Sequence, residues 1–377
     1  MKILFSAWPG YGHLLPMVAL VRAAERAGHE VVISTGPDLV PYASRLGVRS
    51  VAVGPSAAES YSRLPHNVMI SRLPAAEQSA FAAEHLFGAA GADRARDLAL
   101  FASTWRPDLV VHDPLELGAA VVAVEGGLRH LTHGYGPMLH ENEDMVLAIG
   151  SALAEAVGVD PAESVFAAPY LDICPPGLRD REQVAWRDVR PLRPSVGEPG
   201  DGSVAAAIAA LPYRETLYFT LGTVMNQAPG VFRAVLDAAE EVRVNLVMTT
   251  GPDTDPAAVG PLSEAALAYP YLPQADVLPH CSAVVSHAGA GTILGALCFG
   301  LPQLCLPQST DQPLNASNLV ATGAALALDP HEIETATVAE ALRELLHESP
   351  YRAAAARLRS EIDAMPQADE VIGDLAA

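Results

Sequence analysis

"AVVSHAGAGTILGAL" spans Ala283 to Leu297. It opens as an apolar run of strand length and closes on an apolar helical pattern. Between them stand His287, Ala288, Gly289, Ala290, Gly291 and Thr292. A buried strand that passes straight into a helix is the repeating unit of a parallel sheet. In such sheets ligands bind beyond the carboxyl ends of the strands, where His287 falls. Ala288 to Gly291 let the backbone approach a ligand without side-chain obstruction, and the helix start offers unpaired N–H groups and a partial positive charge. That combination holds a phosphate without lysine, with Thr292 and His287 as further donors. On these residues alone, a tight packing turn around a buried histidine is the competing reading.

The same alternation extends outward in both directions. "KILFSAW" (Lys2 to Trp8) reads as a strand. Leu14 to Gly28 reads as its helix, with Leu14, Val18 and Val21 on one face, Pro16 in the first turn and Gly28 as the stop. "HEVVIST" is the next strand, and "PDLVVHD" (Pro107 to Asp113) another, followed by a helix and stop over Ala119 to Gly127. Arg190 to Ser203 is rich in Pro, Gly and Ser and has no apolar period, so it reads as a linker. The pattern then restarts with "TLYFTLGT", "NLVMTTG", "SAVVSHAG" and "LPQLCLP" as strands. Glu59 to Arg106 is more helical and less regular. The expectation is two similar α/β domains, each a parallel sheet with helices on both faces.

Composition narrows the chemistry. The 377 residues suit about 2.5 domains at ~150 residues each, and half are apolar. No apolar run reaches the ~18 residues of a membrane span, and the N-terminus lacks the features of a signal peptide. Four cysteines (Cys174, Cys281, Cys298, Cys305) without CxxC spacing suit a reducing cytoplasm. The net charge of −21 disfavours nucleic acid and anionic membranes. Lys2 is the single lysine, which excludes a GxxxxGK[ST] phosphate loop and a pyridoxal Schiff base.

"WPGYGHLLP" (Trp8 to Pro16) invites a dinucleotide fingerprint through Gly10 and Gly12. The third position is Leu15, where close packing needs Gly or Ala, so a nicotinamide oxidoreductase is disfavoured. His13 instead stands at the helix start with the pKa range of a general base, a turn-capping role being the alternative. Asp113 ends its strand at the same sheet edge. A carboxylate there can orient such a base, or cap the helix that follows. Alternation along the strand points His112 to the opposite face. His130, His133 and His140 with Glu141, Glu143 and Asp144 look metal-like. Their HxxH spacing lies on no clear helix, and an acceptor-lining loop, "THGYGPML", is the expectation there.

Tyr271 to Leu319 carries "YLPQ", then "HAGAGT", then "LPQ...DQ...N". With "TLGT" (Thr220 to Thr223) and "GHLLP" (Gly12 to Pro16), these motifs resemble nucleotide-sugar glycosyltransferases of the two-domain GT-B fold, closest to actinobacterial natural-product enzymes. The resemblance covers most of the chain. It implies two Rossmann-like domains facing a cleft: 1–200 for the acceptor, 201–355 for the nucleotide sugar, and a C-terminal helix over 356–377 packing back on the first. It further implies that His13 is the base and Asp113 its partner. Gly12, Gly222, Thr223, His287, Gly289, Ala290, Gly291 and Thr292 would serve the donor diphosphate. Tyr271, Leu272 and Gln274 would line the nucleobase, and Asp311 and Gln312 would bind the sugar, a helix N-cap being the plain alternative for Asp311. Related plant enzymes place a ribose-binding glutamate eight residues after the turn histidine, where this chain has Gly295. The expected function is inverting transfer of a deoxysugar from a TDP- or UDP-sugar to a hydroxyl of a hydrophobic natural product, without metal or other cofactor. A nucleotide-sugar epimerase or hydrolase on the same fold, and a catalytically silent partner protein, are the rivals.

Overall fold

Every residue of Leu4–Ser6 and its neighbour Ile3 is buried in strand β1 (Lys2–Ser6). A strand apolar on both faces needs cover on both, which helical crossovers between parallel strands provide. This computed structural model describes all residues except 66–72, 74, 138–139, 180–184, 223–227, 252–253, 309–310, 348 and 377, and omits the side chains of 75, 76, 79, 140–142 and 376.

The chain divides into two compact units. Unit 1 comprises Met1–Cys174, Asp180–Arg193 and Pro366–Ala377, and unit 2 comprises Pro175–Arg179 and Pro194–Met365. Unit 1 holds seven strands: β1, β2 (Glu30–Thr35), β3 (Ser50–Ala52), β4 (Leu109–His112), β5 (Arg129–His133), β6 (Pro169–Asp172) and β7 (Asp188–Pro191). Their order is β3-β2-β1-β4-β5-β6-β7, parallel throughout. Unit 2 holds β8 (Thr216–Thr220), β9 (Asn245–Thr249), β10 (Ala266–Tyr269), β11 (Ala283–Ser286), β12 (Gln303–Cys305) and β13 (Ala325–Ala327), in the order β10-β9-β8-β11-β12-β13, again parallel. The winding therefore reverses between β1 and β4 in unit 1 and between β8 and β11 in unit 2. Such reversals open a crevice at the carboxyl edge of the sheet.

The expected strands are present. β3, β5, β6, β7, β10 and β13 are short and carry no clear run in the sequence. The expected linker begins inside β7, whose Pro191 is tolerated because β7 is an edge strand. The first helix is also more broken than its period suggests: helical Tyr11–Leu14, a tight 3₁₀ turn Leu15–Met17, then Val18–Arg26. Pro16 has no N–H to continue the α ladder, and the turn tightens around it. At the other end of the chain, helix Ser349–Asp363 stays with unit 2. Pro366 breaks the path, and helix Ala368–Ala376 belongs to unit 1. There Asp369 takes a two-bonded grip from Arg26 (3.0 and 2.7 Å), and the Leu375 carbonyl accepts from Arg129. Among the described residues no helix is long and apolar enough to cross a membrane.

Each sheet is buried on both faces. In unit 1, Leu4, Val32 and Val110 pack with Leu98, Ala119 and Val122. In unit 2, Phe219, Met248 and Val285 pack against Phe232 and Leu342, while Tyr218, Val247 and Val284 pack against Leu278 and Ala296. One ion pair lies inside unit 1. Arg94, on helix Ala89–Trp105, is fully buried; its Nε pairs with Glu116, and its Nη atoms donate to the Val53 and Ala7 carbonyls at 3.0 and 2.9 Å. Burial pushes the Glu116 carboxyl up, the Arg94 charge pulls it down, and the nearby Asp113 carboxylate raises it again.

Removing one member of this pair strands the other. Arg94→Met is expected to cost unit 1 about 3–5 kcal/mol, and Arg94→Met with Glu116→Leu less than that single change. All three tryptophans (Trp8, Trp105, Trp186) lie in unit 1, so urea unfolding followed by tryptophan fluorescence reads that unit. A double variant less stable than the single would overturn the assignment.

Candidate functional site

In unit 1 the chain leaves β1 and turns at Gly10 into helix Tyr11–Leu14, which carries Gly12 and His13. Asp113 directly follows β4, the neighbour of β1 across the winding reversal. The two side chains meet there, His13 Nδ1 to Asp113 Oδ1 at 3.2 Å, with His13 17 % exposed and Asp113 fully buried. Asp113 also accepts the Trp8 N–H at Oδ2 (2.7 Å) and the Leu115 N–H at Oδ1 (2.8 Å). Burial alone would raise its pKa. The His13 charge and hydrogen bond, with the two backbone donors, outweigh that and hold it below the usual carboxylate range. A carboxylate only accepts, so the His13 proton sits on Nδ1 and the Nε2 lone pair is left for another group. The Tyr135 ring packs on His13 with centroids 4.6 Å apart. Asp113 does not cap the following helix: the residue at that position is Glu116.

His112 faces away from Asp113 along β4, towards His130 (3.4 Å), which in turn meets Ser164 Oγ at 2.9 Å. Burial lowers the pKa of His130 to about 4, with the neighbouring His112 adding to the effect. His133 points to the opposite face of β5 from His130 and bonds the Gly134 carbonyl. Glu143 accepts from the Ala185 N–H. The metal-like group of the sequence thus has its described histidines on two faces of a sheet, while the side chains of His140 and Glu141 lie outside the described residues. Met138 and Leu139 of the expected acceptor loop lie outside them too.

In unit 2, His287 follows β11 and Gly222 follows β8, again across the winding reversal. Gly222 has φ 79°, and a Cβ on it would stand 2.7 Å from His287 Nε2; a Cβ on Gly289 would stand 2.5 Å from the same atom. Both positions must be glycine for the imidazole to lie where it does. Burial lowers the His287 pKa, opposed by the Asp311 carboxylate and the Thr220 carbonyl. Helix Ala290–Cys298 then starts at Gly289 with no side-chain cap, so the N–H groups of Ala290 and Gly291 are not taken by a capping side chain, while the Thr292 N–H donates to the Gly289 carbonyl at 3.0 Å. Thr223 lies outside the described residues.

Tyr271 is 44 % exposed, whereas Leu272 packs into the core beside Val277 and Ala296 and offers only its backbone to a ligand. Gln274 reaches Thr292 Oγ1 at 3.5 Å and occupies the space over Gly295, where a Cβ would meet Gln274 Oε1 at 1.9 Å. Asp311 stands at the N-cap position of helix Gln312–Ala321, but its side chain makes no cap; Oδ2 instead accepts from Asn315 Nδ2 at 2.7 Å. Gln312 is buried, and its Oε1 accepts the Gln308 N–H at 2.8 Å. In the sequence Asn315 stands only as the terminal "N" of the "DQ...N" motif and Tyr135 only as part of the expected acceptor loop, and the Arg94–Glu116 pair carries no signal there.

Residues 22–179 match the N-terminal domain, and residues 233–377 the C-terminal domain, of the erythromycin biosynthesis protein CIII-like family. The chain is 30% identical over 390 residues to an L-demethylnoviosyl transferase of Streptomyces niveus, an alignment covering 100% of this chain and 98% of the relative. Its fold superposes on the glycosyltransferase SnogD from Streptomyces nogalater with a TM-score of 0.81 at 26% identity, covering 100% and 98% of the two chains. It superposes on the spinosyn rhamnosyltransferase SpnG, complexed with thymidine diphosphate, with a TM-score of 0.83 at 25% identity, covering 100% of each. Two doubly wound parallel units, with polar groups gathered at both winding reversals and relatives of this kind along its full length, place the chain among the erythromycin biosynthesis protein CIII-like glycosyltransferases, GT-B enzymes of natural-product biosynthesis.

Proposed function

We propose that the enzyme transfers a deoxysugar, with inversion, from a TDP-sugar to a hydroxyl of a hydrophobic natural product. The observation that carries this reading is the His13–Asp113 pair at the winding reversal of unit 1. His13 Nε2 takes the acceptor's proton as the acceptor oxygen attacks the anomeric carbon, and the bond from that carbon to the diphosphate oxygen breaks. Asp113 fixes the tautomer and stabilises the imidazolium that forms. The leaving diphosphate gathers charge as the bond breaks, and the N–H groups of Ala290 and Gly291 with the Thr292 hydroxyl, Gly289, His287, Gly222 and Thr223 are its partners in this reading. Asp311 and Gln312 hold the sugar, Tyr271 and Gln274 the nucleoside, and Leu272 contributes backbone. Gly12, beside His13 on the first helix, also serves the donor in this reading.

The base is tested by His13→Ala. Turnover on an alcohol acceptor is expected to fall by about 10²–10⁴, the usual contribution of a positioned general base. Donor affinity should hold within about twofold, because the proposed donor residues other than Gly12 lie in unit 2. Near-full activity would refute the assignment.

Catalysis is expected to survive chelation, because in this reading the helix N-terminus and His287 replace a cation as the diphosphate's partner. Loss of activity in EDTA, restored by Mg²⁺ or Mn²⁺, would overturn this.

The nucleotide preference follows from Gly295. Without a carboxylate at that position, a uridine ribose loses a hydrogen bond at its 2′-hydroxyl that a thymidine donor never makes. One neutral hydrogen bond contributes ~0.5–1.5 kcal/mol, so TDP is expected to bind roughly 2- to 13-fold tighter than UDP in calorimetric titration. Gly295→Glu is expected to shift the ratio towards UDP. The substitution must displace Gln274, whose amide is the movable end of a flexible side chain. Tighter UDP binding by the unsubstituted enzyme would reject the preference, and an unmoved ratio would remove its cause.

A further inference from the structure

Asn315 lies in the first turn of helix Gln312–Ala321 and is 1 % exposed. Its Nδ2 donates both of its hydrogens, one to Asp311 Oδ2 at 2.7 Å and one to the Ala288 carbonyl at 3.3 Å. The two acceptors belong to different elements: Ala288 to the turn between β11 and its helix, Asp311 to the start of the next helix, which follows β12. Ala288 is unusual in its own right. Among the described non-glycine residues only Arg106, Arg243 and Ala288 have positive φ, and both arginines are helix C-caps, where the left-handed conformation is common. Ala288, with φ 63°, has no such excuse and must be held. Its N–H donates to Ser286 Oγ at 3.1 Å and its carbonyl is taken by Asn315, so both flanking peptides are pinned.

We propose that Asn315 is a positioning residue that locks the left-handed turn at Ala288 in register with Asp311. One amide thereby fixes the N–H groups that meet the diphosphate relative to the carboxylate that meets the sugar. The inference rests on the donor site proposed above. A buried asparagine that merely satisfied two acceptors would stabilise the helix without favouring one ligand over another, so ligand dependence separates the two roles.

The experiment is calorimetric titration of the full-length enzyme with TDP and with thymidine. Asn315→Leu is expected to weaken TDP about tenfold or more, because the turn that meets a charged group is released, and to leave thymidine within about twofold. Adding Ala288→Gly is expected to recover at least about threefold of the lost TDP affinity, because glycine takes the left-handed conformation without help. If the leucine variant does not fold, Asn315→Ser replaces it: its hydroxyl is too short to reach both acceptors. Unchanged TDP affinity, an equal loss for TDP and thymidine, or no recovery on adding Ala288→Gly would each overturn the role while leaving the donor site standing. Failure of the unsubstituted enzyme to bind TDP would remove the donor site and this role with it.

Discussion

The Asp113 carboxylate ties two stretches of chain that are some hundred residues apart in sequence, its own turn after β4 and the segment from Trp8 to His13. It accepts from the Trp8 N–H after β1, the Leu115 N–H after β4, and the His13 imidazole on the first helix. Hydrogen bonds to a buried carboxylate are charge-assisted and strong, and their geometry is fixed because three donors share two oxygens. The loop that carries His13 is thus set by the same group that polarises it. The depressed pKa has a thermodynamic corollary. A carboxyl whose folded pKa lies below its unfolded value stabilises the fold above the ordinary carboxylate range, and that contribution is lost as pH falls through the folded pKa. The Arg94–Glu116 pair backs this arrangement from inside: Arg94 holds the Ala7 carbonyl, one residue before the Trp8 N–H that Asp113 takes.

Unit 2 uses the same topological position for different chemistry. Its reversal between β8 and β11 gathers His287, Gly222 and a helix start with no capping side chain. No carboxylate touches the His287 ring at hydrogen-bond distance among the described residues, and burial lowers its pKa. One unit presents a histidine paired with a carboxylate, and the other an uncapped helix start beside a buried histidine. Both follow from one constraint: strands buried on two faces can place polar groups only at their ends, and the winding reversal is where two such ends leave a gap.

The fold was legible in the sequence wherever strands were long and wholly apolar, as in "KILFSAW" and "SAVVSHAG". β3, β10 and β13 were not, because three or four residues of mixed polarity carry no measurable period. His13, Asp113 and His287 stood out as polar residues at the ends of apolar runs. Arg94 could not: within "AAGADRARDLAL" it has the same spacing and neighbours as the exposed Arg96, and only the packing of two helices against β1 separates them. Leu272 shows the converse limit. A motif places its backbone, but the choice of face belongs to the core that Val277 and Ala296 complete. Asp311 sits where an N-cap should be and does not cap: its backbone is already helical, with φ −76° and ψ −10°, and Asn315 one turn on donates to its Oδ2.

The net charge of −21 bears on how the proposed diphosphate site must work. At physiological ionic strength the surface field is screened beyond about 8 Å, so the net negative charge repels an anionic leaving group at long range only weakly and does nothing to attract it. Attraction has to arise at contact. The chain has no lysine to supply it beyond Lys2, whose Nζ donates to the Trp105 carbonyl, and arginines such as Arg63, Arg233 and Arg343 are paired with carboxylates. Backbone N–H groups at a helix start are the partners in the proposed reading, and they differ from a cation in kind. Their pull falls off within the first turn and depends on orientation, so an anion is held only where its oxygens coincide with the N–H directions. In the proposed site, the conformation of the turn itself, left-handed at Ala288 and pinned through Ser286 and Asn315, is therefore the quantity on which diphosphate recognition would turn.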